Sequence, residues 1–138
     1  QFSDYRIVFS KPEHADSLLL TPDGLIKAEG HLPFLKGTDR FTPDYDLFGR
    51  LDTIIFDGLK STSVSLLNDK TKHGVHMDFK GFPMVAFWTK PGAPYLCLEP
   101  WHGCAAVENE SGQFEKKPHC MMLSPGESKM LTYSVTIL

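Results

Sequence analysis

The 138 residues, 41% of them hydrophobic, make one ordinary domain with a core of useful size. The 14 basic and 17 acidic residues give a net charge of -3 and are spread along the chain, without the basic stripe that nucleic acid or an anionic membrane surface would call for. No apolar run approaches the roughly 20 residues of a membrane span, and no basic-then-apolar leader opens the chain, which reads as soluble.

Cys97, Cys104 and Cys120 are an odd count without tight pair spacing, so no disulfide framework is expected and a reducing, cytoplasmic compartment is the better match. The chain begins at Gln1 rather than at a methionine, which suggests processing or trimming and a natural start further upstream.

From Phe2 to Phe9, Tyr5, Ile7 and Phe9 alternate with Asp4, Arg6 and Val8, the period of a strand with one buried face. Lys11-Pro12-Glu13 reads as a break, Leu18 to Leu20 as a short apolar run, and Thr21-Pro22-Asp23-Gly24 as the tight turn of a hairpin. Gly30 to Asp46, with Pro33, Gly37 and Pro43 among scattered aromatics, has no clean period and reads as a long loop. A helical turn around Phe48 to Leu51 precedes a strand through Ile54 and Ile55, with Arg50 and Asp52 at the junction as a solvated pair of opposite charges.

Ser61 to Leu67 and the alternating Val75, Met77 and Phe79 form a second hairpin across Asn68-Asp69-Lys70. Met84 to Thr89 and Tyr95 to Leu98 are antiparallel neighbours joined by Lys90-Pro91-Gly92-Ala93-Pro94. The second of them ends at Glu99, because Pro100 cannot donate to a ladder. Residues 105 to 119 read as a loop, Ser124-Pro125-Gly126-Glu127 as a turn, and the alternation of Leu131, Tyr133, Val135 and Ile137 as a half-buried closing strand. Many short strands, Gly/Pro turns and no long amphipathic helix argue for an all-β sandwich.

Glu99 at a strand end beside Trp101 is the candidate site: a carboxylate next to an indole suits a sugar ring and acid–base chemistry. Cys97, His102, Cys104, His119 and Cys120 carry zinc-type ligands, but the Cys-x-x-Cys knuckle is missing and no metal is expected. There is no Gly-rich phosphate loop and no Gly-x-Ser-x-Gly elbow, so no cofactor is expected either. In an alternative glycosidase reading Asp52 is the second carboxylate to Glu99, a mechanism that depends on the separation of the two.

Phe82-Pro83-Met84, Trp88-Thr89, Ala93-Pro94-Tyr95-Leu96-Cys97-Leu98-Glu99-Pro100-Trp101 and Leu123-Ser124-Pro125-Gly126-Glu127, with Leu47-Phe48 and Asp52 through Phe56, resemble the C-terminal half of the aldose 1-epimerase (galactose mutarotase) family. Its bacterial epimerase-like branch is the best match. The resemblance implies that residues 1–138 are the C-terminal portion of one galactose mutarotase-like β-sandwich (supersandwich) about twice this length, the N-terminal portion being absent. It implies that Glu99 is the base at the C1 hydroxyl of a free hexose, and that Asp52, Trp101 and Arg50 bind the sugar.

The family's histidine acid belongs upstream of Gln1, and His31, followed by Leu32-Pro33-Phe34, lies on the wrong side of the opening strand to take that role. The fragment by itself is therefore expected to be inactive, and to self-associate or pair with the missing half through its exposed edges. The rival readings are a carbohydrate-binding β-sandwich module without turnover and a metal-stabilised structural domain.

Overall fold

Alternating apolar residues build the strands where the sequence places them, but several strands run longer than the pattern suggests. In the computed structural model, which describes residues 2–138, a 3-10 turn at Phe2–Asp4 leads into β1 (Tyr5–Leu20), β2 (Ile26–Phe41), α1 (Tyr45–Leu51) and β3 (Thr53–Asp57). There follow β4 (Ser63–Asn68), β5 (Gly74–Asp78), β6 (Met84–Trp88), β7 (Cys97–Trp101), a second 3-10 turn at Phe114–Lys116, and β8 (Ser134–Ile137). The eight strands form one sheet in the order β7-β6-β3-β1-β4-β5-β8, with β2 paired to β1, and neighbouring strands are antiparallel.

The long loop expected over Gly30 to Asp46 is largely strand β2, and the break expected at Pro12 lies inside β1. The reason is irregular register. The β1–β2 pairing slips between Val8 and Glu13, between Glu13 and His14, between Ala15 and Asp16, and between Leu18 and Leu20, so no steady period of two survives to be read. Gly37 (φ +79°) lies under the His14 ring, which would stand 3.0 Å from any Cβ added there. The Thr21–Gly24 turn is where the sequence puts it, closed by the Gly24 N–H donating to the Thr21 carbonyl at 2.9 Å.

Glu13 is only 2% exposed, yet its carboxylate is satisfied: it accepts from the Ser61 N–H and the Ser61 hydroxyl, both at 2.7 Å, and from the Lys60 N–H at 3.3 Å. A buried charge is tolerable when hydrogen bonds replace water in this way. Ser17 Oγ likewise accepts the Ile55 N–H at 3.1 Å, fastening β1 to β3 where only Leu18 and Ile55 stand in register.

The sheet is curled. Phe41 on β2 and Phe87 on β6 meet at 5.7 Å between ring centroids, although three strand spacings, about 14 Å, would separate their strands in a flat sheet. Phe9, Phe34 and Phe56 complete this edge-to-face cluster inside the curl, with Phe34–Phe56 at 5.4 Å and Phe9–Phe56 at 5.8 Å. Ile7, Leu35, Phe48, Ile54, Val64, Met77, Phe79 and Val85 pack around it. The opposite face of β3 and β6 is also covered: Ile55, Met84 and Ala86 pack with Leu18, Leu20, Trp101 and Cys104.

Two edges differ from expectation. β7 does not stop at Glu99; it continues through Pro100, opposite Val85, to Trp101. As an edge strand with only β6 beside it, it accommodates a residue that lacks an N–H. β8, expected to be half buried, is exposed throughout, with Ile137 at 78%, because it lies at the far edge and pairs only with β5. The aromatic cluster is what holds the curl. Phe56→Ala is expected to cost about 3–5 kcal/mol in urea denaturation, and a loss near the surface-substitution range of about 0.5 kcal/mol would contradict it.

Candidate functional site

The site lies on the outer face of the β3-β6-β7 ribbon. Register places three cross-strand rows on that face: Thr53, Trp88 and Cys97; Ile55, Ala86 and Glu99; and Asp57, Met84 and Trp101. In the middle row the smallest side chain, Ala86, stands between Ile55 and Glu99. The hairpin that delivers β7 is pinned at its loop, where Thr89 Oγ1 donates to the Tyr95 carbonyl at 2.6 Å and the Tyr45 hydroxyl donates to the Ala93 carbonyl at 2.7 Å.

Glu99 and Trp101 are two apart on one strand, hence on the same face. The indole Nε1–H donates to Glu99 Oε2 at 3.0 Å, leaving Oε1 unclaimed by that bond. Burial pushes the Cys97 thiol up, and the Glu99 carboxylate beside it adds to the shift. Cys97 therefore flanks the carboxylate. Burial also raises the Cys104 thiol. All three cysteines are free.

Beside Trp101 opens a cleft of about 670 Å³ whose walls include His102, Cys104, Lys117, His119 and Cys120. Glu99 is not one of its walls; it stands one row further in, and its link to the cleft is the bond to Trp101. Asp57, on the Trp101 row, is engaged by His119 Nε2 at 2.9 and 3.0 Å from its two carboxylate oxygens. His102 Nδ1 lies 3.0 Å from the His119 carbonyl, joining the segment after β7 to residues 118–120.

His119 adopts φ +56° within a turn closed by the Cys120 N–H and the Lys117 carbonyl at 3.1 Å. With Pro118 in the second position, this is the type II pattern, whose third position favours glycine. A side chain there costs about 1 kcal/mol. Among the described residues no three His, Cys, Asp or Glu side chains converge as a metal site would require.

Arg50 and Asp52 lie apart from the Glu99 bond network. They share a second cavity of about 580 Å³ with Leu20, Thr21, Asp23 and Lys27 at the tip of the first hairpin. The solvated ion pair expected between them is not formed. Asp52 instead caps α1, its N–H donating to the Phe48 carbonyl at 2.8 Å, and its Oδ2 accepts from Thr53 Oγ1 at 2.8 Å. Its φ of +61° turns the chain directly from helix into β3. Asp52 thus lies beyond the Thr53 row, Glu99 in the middle row and Trp101 on the Asp57 row. Sequence reading missed Asp57: its period-two spacing from Ile55 puts it on the right face, but nothing in the sequence pairs it with His119.

No family model matches the chain. It is 34% identical over 140 residues to the chromosomal and plasmid forms of protein LacX of Lactococcus lactis subsp. lactis, in alignments that take in 100% of this chain and 46% of each relative. A galactose mutarotase related enzyme from Lactobacillus acidophilus superposes with a TM-score of 0.85 at 25% identity, over 100% of this chain and 46% of that one. This is the galactose mutarotase-like fold.

A galactose mutarotase-like protein from Lactobacillus casei ATCC 334 has the same architecture, with a TM-score of 0.80 at 19% identity over 99% of this chain and 47% of its own. The resemblance to the aldose 1-epimerase (galactose mutarotase) family is borne out. The chain spans about half the length of the relatives it matches.

In this mutarotase-like fold the environment of Glu99 is open to a chemical check. Because the carboxylate raises the Cys97 thiol, Glu99→Gln is expected to increase the thiolate fraction of Cys97 and speed its alkylation by iodoacetamide at pH 8, read by mass spectrometry against Cys120. An unchanged or slower rate would separate the two side chains.

Proposed function

We propose that the complete protein is an aldose 1-epimerase acting on a free hexose, with Glu99 as the base. The observation that carries this is the Trp101 Nε1–H bond to Glu99 Oε2, which presents the second carboxylate oxygen beside a flat apolar ring on a sheet face relieved by Ala86. Glu99 takes the proton of the C1 hydroxyl as the C1–ring oxygen bond breaks. Rotation about C1–C2 and reclosure on the other face then give the opposite anomer. The proton delivered to the ring oxygen comes, as the family resemblance implies, from a histidine outside these 138 residues, which are inactive by themselves.

In this reading Trp101 packs the sugar ring, and Asp52 and Arg50 bind hydroxyls from the 580 Å³ cavity at the Thr53 end of the face. Three free thiols suit a cytoplasmic setting, and no helix among the described residues is long and apolar enough to cross a membrane.

The exposed apolar side chains of Val135 and Ile137 on edge strand β8 belong to the same reading: the portion of the relatives' length that this chain does not span would cover them. The 138 residues alone are expected to self-associate in sedimentation velocity, and Ile137→Lys should reduce that association. A monomer at all concentrations would remove the argument for a covering segment.

Anomer exchange followed by NMR in the complete protein, with galactose and glucose, tests the activity. Glu99→Gln should lower turnover by about two to four orders of magnitude, the scale of one proton-transfer group. A near-wild-type rate would take Glu99 out of the mechanism, and sugar binding without any exchange would favour the non-catalytic binding module.

A further inference from the structure

The proposed chemistry leaves one constellation beside Trp101 unused. Asp57 shares the Trp101 row and so points to the face that carries Glu99. Both its carboxylate oxygens lie within 3.0 Å of His119 Nε2, so that nitrogen carries the proton and donates. In the neutral ring Nδ1 is then a lone-pair acceptor, and among the described residues it has no hydrogen-bond partner. The His119 side chain keeps 29% exposure, enough for a ligand to reach it.

His119 also occupies a backbone position that favours glycine, at φ +56° after Pro118. Backbone strain of this kind concentrates where a side chain has a task. Its turn is tied to the segment after Trp101 through the His102 contact, so His119 and Trp101 stand as two walls of one cleft.

We propose that His119, steered by Asp57, is a sugar-binding residue whose Nδ1 accepts a hydroxyl of the hexose lying against Trp101. The inference rests on the sugar reading above. A neutral hydroxyl is the chemistry that fits, because a ring whose Nε2–H is held by the Asp57 carboxylate offers a lone pair at Nδ1, and an O–H donates to it. A metal is not the occupant that the side chains favour, since no third ligand joins His119 and Asp57 among the described residues.

Two substitutions divide the functions of the ring. His119→Gln keeps an amide donor where Nε2 stood, preserving the tie to Asp57, and removes the acceptor. His119→Asn places an amide oxygen where Nδ1 stood and gives up the tie. Galactose and glucose are titrated into the complete protein by calorimetry, with melting temperatures measured alongside. The Gln variant is expected to bind about three- to tenfold more weakly, the effect of one neutral hydrogen bond, with its melting temperature unchanged. The Asn variant should retain more of the affinity while melting lower.

Wild-type affinity in the Gln variant would overturn the proposal. A Gln variant that loses affinity and melting temperature together would do the same, reducing His119 to a structural latch. A protein that binds neither sugar overturns it outright. Binding without anomer exchange would sink the catalytic reading and leave the His119→Gln titration to decide this one.

Discussion

The contact between Phe41 and Phe87 is the constraint on which the rest of the molecule depends. Two rings whose strands would stand about 14 Å apart in a flat sheet can meet at 5.7 Å only if the sheet folds over them. Aromatic rings have the reach and the buried area to make that bend favourable, and edge-to-face geometry lets several share one space. Once the β1–β2 hairpin folds inward, the inner faces of β3 and β6 are sealed, and their outer faces are left to form a second surface. That second surface is where the carboxylate stands.

The outer face is specified by register more than by any single contact. Antiparallel pairing of β3, β6 and β7 aligns Ile55, Ala86 and Glu99 in one row and Asp57, Met84 and Trp101 in the next. A slip of one residue would send Glu99 and Trp101 to the inner face of the sheet, where a charge has no place. The buried Glu13 and the Ser17 hydroxyl fasten β1 to the Lys60–Ser61 segment and to β3, and so support the ribbon that carries the site. Polar groups at the strand junctions thus hold the face that carries Glu99 and Trp101 in place without forming part of it.

The loops after β7 add what the strands cannot. The segment following Trp101 turns back so that residues 118–120 close over the Asp57 end of the face, with His119 in a backbone conformation that costs free energy to maintain. Of the cysteines and histidines that look like a scattered metal set in the sequence, His102, Cys104, His119 and Cys120 instead line a cleft, and Cys97 stands on the Thr53 row beside Glu99.

The sequence by itself determined the all-β class, the hairpin turns at Thr21–Gly24 and Asn68–Lys70, the helical turn before Ile54, and the pairing of β6 with β7. These follow from local rules: alternation along a strand, proline and glycine at turns, and short connections between antiparallel neighbours. The Glu99-Pro100-Trp101 stretch also put its carboxylate and indole on one face, since residues two apart on a strand share a side.

Only the tertiary structure decided that Gly30 to Asp46 is mostly strand, because register slips erase the period that would reveal it. Only the fold could show that Pro100 lies within β7, since an edge position is a property of the whole sheet. The meeting of Asp57 with His119, 62 residues later, and the placing of Arg50 and Asp52 in a different cavity from Trp101, likewise depend on how the sheet curls and which strands become neighbours. Those outcomes are set by long-range packing, and no local pattern encodes them.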